Sequence, residues 1–329
     1  MNSIAQPQRY ALIDIARGVA LVAMATYHLG FDLTLFGYAK PEFATTGPMR
    51  TFARLIASSF LILVGVSLVL GHGKSIRWRG FWRRWLAVAA CAALITAATW
   101  YAMPQAFIYF GILHHIALAS LIGLLFVGLS WPVTLTAALA VMAIGLTVSS
   151  STLDHPALMW TGLSATVRTS NDYVPLFPWF AAVLTGMAFA KSPAFAIVQS
   201  TGVTASSALA RLLQWLGRRS LIVYMVHQPI LIGLVYFATL IVPPAKNDDF
   251  TIAPDPFLDA CESSCLSNAG ADFCIAYCAC MDVRLQQNDM KTPLIQGNLP
   301  VDDPAVVELT EQCTADIGDA LRQLEGTSQ

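Results

Sequence analysis

The sequence predicts an all-α protein: a polytopic membrane bundle of about seven transmembrane helices, followed by a small, disulfide-stapled, extracytoplasmic helical domain. Hydrophobic residues make up 56 % of the 329 residues, charged residues only 12 %, and the mean hydropathy is +0.60, which excludes a soluble cytosolic globule. Residues 1–243 hold 15 Lys/Arg and 5 Asp/Glu, whereas residues 244–329 hold 4 and 15. Six of the seven cysteines also lie in the second part. We therefore predict a transmembrane domain over 1–243 and an acidic, cysteine-rich domain over 244–329.

Apolar segments recur along the first domain at the length of roughly 20 residues that a bilayer core of about 30 Å requires. The first is not a cleavable signal peptide, because Asp14 and Arg17 interrupt it and no small-residue cleavage pattern follows. The sixth is short and is expected to tilt or to lie partly in the interface. The approximate bounds of the seven segments are 11–31, 52–71, 84–102, 107–128, 132–150, 176–191 and 220–243.

Basic residues in the loops predict the orientation, because Lys and Arg are retained on the cytoplasmic side. One basic loop follows the second segment and another precedes the seventh, while the alternate loops hold fewer Lys and Arg. We therefore predict a cytoplasmic N-terminus, and seven crossings place the C-terminal domain outside. The basic residues of the two loops are Lys74, Arg77, Arg79, Arg83, Arg84, Lys191, Arg211, Arg218 and Arg219.

The acidic domain is predicted to be helical and held by three disulfides, since its six cysteines lie on the oxidising side of the membrane. Cysteines spaced four residues apart share one helical face, and a turn near Gly270 would pair two such helices. Zinc is the alternative, but this domain has no His and lacks C-x2-C spacing, so no metal site is predicted. We interpret the domain as a structural cap or a module that docks a protein partner. The favoured pairs are Cys261–Cys278, Cys265–Cys274 and Cys280–Cys313.

The first segment carries ionisable residues, which at membrane depth are functional candidates. The eleven steps from Arg17 to His28 return to within about 20° of the same azimuth and separate the two by roughly 16 Å. Asp14 and Asp32 lie within a turn of this line. Imidazole suits removal of a proton from a hydroxyl or amine, and Asp32 is placed to orient it. The plainer alternative is an interfacial Asp14–Arg17 ion pair with His28 as an ordinary helix-end residue.

Histidines also open the fourth segment and lie within the seventh. His114 and His115 are adjacent and so about 100° apart on a helix, which means that only one of them faces a small site. His227 precedes Gln228 and Pro229, where the missing N–H of proline breaks the helical ladder. Core packing is the alternative for His227.

Polar and aromatic residues lead into the sixth segment from the outside. Asp172, Tyr173 and Trp179 are predicted to form a rim facing an acceptor, although an aromatic interface belt explains the two aromatic residues almost as well. The sequence lacks the P-loop, dinucleotide-binding, H-E-x-x-H and G-x-S-x-G motifs. Nucleic-acid binding is not expected, because the basic residues lie in loops and the soluble domain is acidic.

Several motifs occur in order between residues 9 and 236. They are Arg9-x4-Asp14-x2-Arg17-Gly18, Tyr27-His28, Phe110-Gly111-x2-His114, Asp172-Tyr173-x-Pro175-x2-Pro178-Trp179 and Gly217-Arg218-x-Ser220-x3-Tyr224-x2-His227-Gln228-Pro229. Together they resemble the bacterial relatives of heparan-α-glucosaminide N-acetyltransferase, whereas the acidic domain has no counterpart there. The resemblance implies an acyltransferase of the bacterial inner membrane. Such an enzyme moves acetyl from cytoplasmic acetyl-CoA to a sugar of an envelope glycan, and here the acidic domain would be periplasmic.

The Arg17-x10-His28 spacing is also similar to that of the acyltransferase-3 membrane enzymes, in which the Arg is associated with CoA and the His with catalysis. The sequence differs from the lysosomal heparan enzyme in one feature. The active His of that enzyme is attributed to the first luminal loop, whereas residues 32–49 here contain no His. Either His28 serves instead, or the reaction differs, or activity has been lost; the acyltransferase-3 resemblance implies the first, with His28 catalytic together with Asp32. The predicted acetyl-CoA contacts are Arg17, Asp14, Arg83, Arg84, His114 and Arg219, and the predicted acceptor contacts are Asp172, Tyr173, Trp179, His227 and Gln228.

Two functions of other classes stay open. A proton-coupled transporter would use the line of ionisable residues as a pathway, although no internal repeat is evident. A membrane scaffold would present the stapled domain, with the polar line as a remnant.

Overall fold

A computed structural model describes residues 10–39, 47–166, 168–200, 206–244, 256–266, 269–295 and 297–326. The chain divides into two compact units, Met1–Pro244 and Ala245–Gln329. Within the described ranges, extended pairing is limited to two isolated bridges, between Phe110 and Tyr173 and between Ser150 and Ser164. The all-α class predicted from the composition is confirmed.

The described residues of the first unit form nine α-helices, and each of the seven predicted apolar segments overlaps one of them. A 3-10 turn at Leu124–Phe126 extends the fourth helix, and two more lie between the fifth and sixth. The helices are α1 Ala11–Leu35, α2 Gly47–His72, α3 Trp78–Ala102, α4 Ile112–Gly123, α5 Trp131–Thr147, α6 Leu176–Lys191, α7 Pro193–Ser200, α8 Ala208–Arg218 and α9 Ser220–Ile241.

Helix length supports fewer full membrane spans than the seven predicted. Among the described residues, α1, α2, α3 and α9 are long and apolar enough to cross a membrane, and α6 with α7, bent by 68°, forms a fifth candidate. The α4 segment and α5 are apolar but shorter, since the apolar windows at 107–128 and 132–150 include loop residues beside the helices. The protein is thus a multi-pass membrane protein with four to five full-length candidate spans.

Glycines let helix backbones meet closely at two crossings of the first unit. A Cβ on Gly18 of α1 would lie 2.1 Å from a backbone oxygen of α8, and one on Gly217 of α8 would lie 1.8 Å from the carbonyl oxygen of Asp14. Gly65 of α2 and Gly186 of α6 form a similar pair. Such small residues are typical of membrane helix interfaces, where van der Waals packing drives association. The first crossing fixes α8 against the start of α1.

The buried core lies where α2, α4 and α6 pack together. Its most buried members are Leu61, Ala119, Val183, Leu184 and Met187. By contrast, only 6 % of the most apolar window of α3 or of α9 is buried within the protein. Apolar surfaces of that extent are the surfaces that lipid tails cover.

The second unit consists of α10 Pro256–Cys265, α11 Ala271–Gln287, the short α12 Lys291–Ile295 and α13 Pro304–Gly326. Two disulfides, Cys261–Cys278 and Cys265–Cys274, join α10 to α11, and Cys280–Cys313 joins α11 to α13. They are the three pairs that the spacing favours. The core between the helices is small, with Met281, Leu285 and Val306 at its centre. The predicted disulfide-stapled helical domain is therefore present.

Candidate functional site

A cavity of about 630 Å³ lies in the first unit, lined by residues of α1, α2, α3, α4, α8 and α9. Its volume falls within the range of roughly 300–1,000 Å³ that is typical of small-molecule and cofactor sites. Four arginines and one acidic residue line it, so its wall is strongly positive. A cavity of this charge suits a ligand that carries several negative charges. Its charged and hydroxyl-bearing lining residues are Tyr10, Asp14, Arg17, Ser67, Arg84, Arg218, Arg219, Ser220 and Tyr224.

Arg17 is held in place by two partners in the cavity wall. Its Nη1 donates to Asp14 Oδ1 at 2.8 Å, and its Nη2 donates to Ser67 Oγ at 2.5 Å. The other oxygen of Asp14 lies 3.5 Å from Nε of Arg218. The Asp14–Arg17 ion pair considered as the plainer alternative therefore forms, and it forms within the cavity. Charge-assisted hydrogen bonds of this kind fix the direction of a guanidinium.

The basic residues after α2 and before α9 divide between the cavity and the outside. Arg84 lines the cavity, but its neighbour Arg83 does not, because successive residues of a helix point about 100° apart. Arg219 lines the cavity and stacks its guanidinium 4.5 Å from the ring centroid of Trp215. Arg83 does not line this cavity, so its contact with acetyl-CoA stays a prediction, whereas Asp14, Arg17, Arg84 and Arg219 all lie in the cavity wall.

Two imidazole rings meet between α1 and α9. The ring centroids of His28 and His227 lie 5.0 Å apart at an interplanar angle of 60°. Neither ring lines the cavity. However, Nδ1 of His227 lies 2.6 Å from the carbonyl oxygen of Tyr224, and Tyr224 lines the cavity. Tyr224 thus connects the arginine-lined cavity to the histidine pair.

Asp32 binds the residue after His227 instead of orienting His28. Gln228 Nε2 donates to Asp32 Oδ1 at 2.7 Å, and the Asp32 side chain is fully buried. Among the described residues, no hydrogen bond joins Asp32 to His28, so the predicted orienting role of Asp32 has no contact to support it. Asp32 lies one turn after His28 on α1, and Gln228 directly follows His227 on α9. The two residues of α1 therefore contact the two residues of α9. The four residues form one polar cluster.

The structure distinguishes the adjacent histidines of α4. His115 is fully buried, and its Nδ1 lies 3.1 and 3.2 Å from the carbonyl oxygens of Val174 and Pro175. Because a carbonyl only accepts, the ring donates and fastens the loop before α6 to α4. His115 is therefore a packing residue.

His114 does not line the cavity, so its contact with acetyl-CoA stays a prediction without support from this cavity. Its Nε2 lies 3.1 Å from Thr96 Oγ1, and its Nδ1 accepts the Gly111 N–H. Leu113 and Ile116 are the α4 residues that line the cavity. The helical periodicity of α4 directs His114 toward α3 instead.

Asp172 caps α4 and does not stand free at a rim. Its Oδ2 accepts the Ile112 N–H at 2.8 Å, and a Cβ on Gly111 would lie 2.3 Å from that oxygen. Burial raises the pKa of the Asp172 carboxyl to about 6, although the hydrogen bond from Ile112 favours the charged form. Asp172 also lies close enough to Tyr224 to act electrostatically on its hydroxyl.

The two aromatic residues predicted for the acceptor rim have packing roles. The Tyr173 hydroxyl donates to the Met159 carbonyl at 2.6 Å, and Trp179 packs against the main core. Neither residue lines the cavity. The prediction that they face an acceptor beside Asp172 is therefore not matched by their contacts.

Ser67, Arg218 and Tyr224 belong to the site but were not selected from the sequence. Arg218 and Tyr224 lie in the motif that ends at Pro229, so that motif was their signal. No sequence signal pointed to Ser67, because a single serine in an apolar helix is common. Within the described ranges, no group of three or more His, Cys, Asp or Glu side chains is arranged to hold a metal ion.

The fold and the cavity define a multi-pass helical membrane protein with an arginine-lined site in its bundle. A family model described as heparan-alpha-glucosaminide N-acetyltransferase, catalytic, matches residues 9–229. The chain belongs to this family, and membership implies that it is an acetyltransferase. The match covers both the cavity and the histidine pair and leaves out the second unit. Comparison with curated proteins and with solved structures found no match.

Proposed function

We propose that this protein moves an acetyl group from cytoplasmic acetyl-CoA to a hydroxyl or amine of a sugar on the far side of a bacterial inner membrane. The acceptor would belong to an envelope glycan. The observation that carries the proposal is the cavity in which Arg17, Arg84, Arg218 and Arg219 surround a space of cofactor-site volume. Family membership supplies the acetyl transfer, and the cavity favours a polyanionic donor.

The cavity wall fits the chemistry of coenzyme A. Guanidinium groups bind phosphate oxygens in a bidentate manner and stay charged at any working pH. Arg17 is already ordered by Asp14 and Ser67, so less side-chain freedom is lost when an anion binds. The remaining wall is mostly apolar, with Phe60 and Leu63 among its members, which suits the thin pantetheine arm.

The histidine pair supplies the proton chemistry. An imidazole takes the proton of the acceptor hydroxyl or amine as its oxygen or nitrogen attacks the thioester carbon. The new C–O or C–N bond forms, the C–S bond breaks, and the proton passes to the departing thiolate of CoA. His227 contacts Tyr224, which lines the donor cavity, and His28 packs against His227, so the candidate bases lie close to the donor cavity.

Charge and disulfides support the orientation. Three of the four cavity arginines, Arg84, Arg218 and Arg219, come from the basic segments near the starts of α3 and α9, and such segments are retained in the cytoplasm. The three disulfides of the second unit need an oxidising compartment, which is the periplasm of a bacterial cell. Protease added to spheroplasts should therefore remove the second unit and leave α1–α9 intact. Protection of the second unit would contradict this orientation.

Binding and turnover test the proposed reaction. Purified protein in nanodiscs should gain thermal stability with acetyl-CoA and should release free CoA when an amino sugar or a neutral sugar is added. Arg17→Gln should abolish the stabilisation, whereas Arg79→Gln, in the same basic segment as Arg84 but outside the cavity, should retain it. No acetyl-CoA effect on the unaltered protein would sink the proposal. Proton-coupled solute flux in liposomes without acetyl-CoA would favour a transporter.

A further inference from the structure

Three buried hydrogen-bond acceptors without partners belong to neighbouring residues of α1 and α9. They are Asp32 Oδ2, Gln228 Oε1 and His227 Nε2, none of which has a hydrogen-bond partner among the described residues. Burying such a group without a partner is unfavourable, because it loses its hydrogen bonds to water. The three belong to residues that are already joined, since Gln228 Nε2 binds Asp32 Oδ1 and His227 directly precedes Gln228. Buried acceptors of this kind are normally satisfied by hydrogen-bond donors.

The backbone of α9 fixes the tautomer of His227. Its Nδ1 lies 2.6 Å from the carbonyl oxygen of Tyr224, and a carbonyl oxygen only accepts. Nδ1 therefore carries the hydrogen, and in the neutral ring Nε2 carries a lone pair. That lone pair is the buried acceptor without a partner. The ring is thus held in the form that a general base requires.

Among the described residues, no hydrogen bond like that of His227 holds the ring of His28. Within the described ranges, its contacts are ring packing against Tyr27 and His227, and no hydrogen bond to either of its nitrogens fixes a tautomer. Asp32, the residue placed by the sequence to orient His28, is bound to Gln228 instead. Of the two histidines, His227 is the one that the fold prepares for proton transfer.

We propose that His227, through Nε2, is the base that takes the acceptor's proton, and that Asp32 Oδ2 and Gln228 Oε1 bind further hydrogens of the same acceptor. The inference rests on the proposed acetyl transfer and adds to it the residue that performs the proton step. The acceptor O–H or N–H bond breaks as its heavy atom bonds the acetyl carbon, and the proton moves to Nε2. The imidazolium then protonates the CoA thiolate, which restores the neutral ring.

The three acceptors also define the substrate class. A primary amine or a pair of neighbouring hydroxyls offers several donor hydrogens, whereas a carboxylate in the same place would face the Asp32 carboxylate and two further lone pairs. The acceptor should therefore be an amino sugar or a neutral polyol, and a uronic acid should react poorly if its carboxylate occupies this position. Donor-rich groups satisfy buried acceptors that would otherwise stay unpaired.

His227→Asn tests the inference, because the Asn amide can still donate to the Tyr224 carbonyl but offers no imidazole base. In nanodiscs, with acetyl-CoA and glucosamine, kcat/KM should fall by at least about 100-fold, the usual contribution of a general base. The thermal shift with acetyl-CoA should be unchanged, and added imidazole should restore part of the rate. His155→Asn is the matched control, since His155 lies in a loop where its Nδ1 accepts a backbone N–H, and its rate should equal the wild-type rate.

Two results would overturn the inference. One is wild-type activity in His227→Asn. The other is imidazole rescue of His28→Asn combined with no rescue of His227→Asn, which would assign the base to His28.

A readout without turnover separates this inference from the acetyl-transfer proposal. In ¹⁵N spectra of histidine-labelled protein, the resonances that disappear in His227→Asn should show a protonated Nδ1 and a bare Nε2. If the protein fails to bind acetyl-CoA, the acetyl-transfer proposal fails, and the ¹⁵N result still decides the prepared base. Resonances that show a protonated Nε2 would overturn it.

Discussion

Gly217, at the end of α8, packs against the backbone of Asp14 so closely that a Cβ on Gly217 would lie 1.8 Å from the Asp14 carbonyl oxygen. The next residue, Arg218, places its Nε 3.5 Å from the Asp14 carboxylate. Backbone contact and ion pair therefore occur at the same crossing. The absence of a side chain at Gly217 sets how near the cavity arginines of α8 and α9 come to Arg17.

Gly217→Ala should separate α8 from α1. Because backbone atoms cannot yield to the new methyl group, we expect a loss of roughly 1–3 kcal/mol in the free energy of unfolding and weaker acetyl-CoA binding. Thermal unfolding in detergent, with and without acetyl-CoA, measures both effects. Gly233→Ala on α9 is the control, since no atom lies within 4 Å of its added Cβ. Equal stability of the two variants would contradict the close crossing.

Ser67→Ala should weaken donor binding through Arg17. Removal of the hydroxyl leaves Arg17 Nη2 without the acceptor at 2.5 Å, so the guanidinium is less well fixed. A lost bond to a charged group corresponds to a rise of about tenfold in the KM for acetyl-CoA. Initial rates of CoA release give the KM. Ser59→Ala on the same helix removes a hydroxyl that also bonds its own helix backbone but lies outside the cavity, and it should leave the KM unchanged.

The raised pKa of Asp172, about 6, predicts a pH-dependent stability. Between the ordinary carboxyl pKa of 3.8 and about 6, the folded protein binds more protons than the unfolded chain. The free energy of unfolding should therefore fall as the pH rises through this window and should level off above it. Asp172→Asn keeps an oxygen for the Ile112 N–H but removes the titration. The free energy of unfolding of this variant, relative to that of wild type, should rise by on the order of 2 kcal/mol between pH 4 and pH 7. A flat difference between the two proteins across that range would contradict the prediction.

The disulfide Cys280–Cys313 should carry much of the stability of the second unit, because it joins α11 to α13 across 33 residues. Closing a loop of that length stabilises a fold by about 3–4 kcal/mol in the chain-entropy estimate. The double variant Cys280→Ser, Cys313→Ser should therefore make the second unit sensitive to protease at lower temperature. Cys91→Ser removes the free cysteine of α3 and serves as the control. Unchanged protease resistance in the double variant would contradict the prediction and would show that the small core is enough to keep the second unit folded.

Helical periodicity explains which site predictions from the sequence succeed and which do not. Composition identified the seven apolar segments, the first-helix motif placed Arg17 among the candidates, and the basic loops added Arg84 and Arg219; all three line the cavity. Arg83 and His114 were predicted with them, but each is one residue away from a side chain that reaches the cavity, Arg84 and Leu113 respectively. Successive side chains of a helix point about 100° apart, and which of them faces a cavity depends on where the neighbouring helices lie.

The sequence by itself determined the two-part organisation, the helical class, the three cysteine pairs that the structure contains and the family. These features follow from local quantities: hydropathy along the chain, the separation of charges, the spacing of cysteines and the order of motifs. Only the tertiary structure decided that Asp32 binds Gln228 and that His28 lies beside His227, because both are contacts between α1 and α9. It also brought Ser67 to Arg17 across 50 residues of chain. Such pairings depend on which helices pack side by side, and no local pattern in the sequence reveals that.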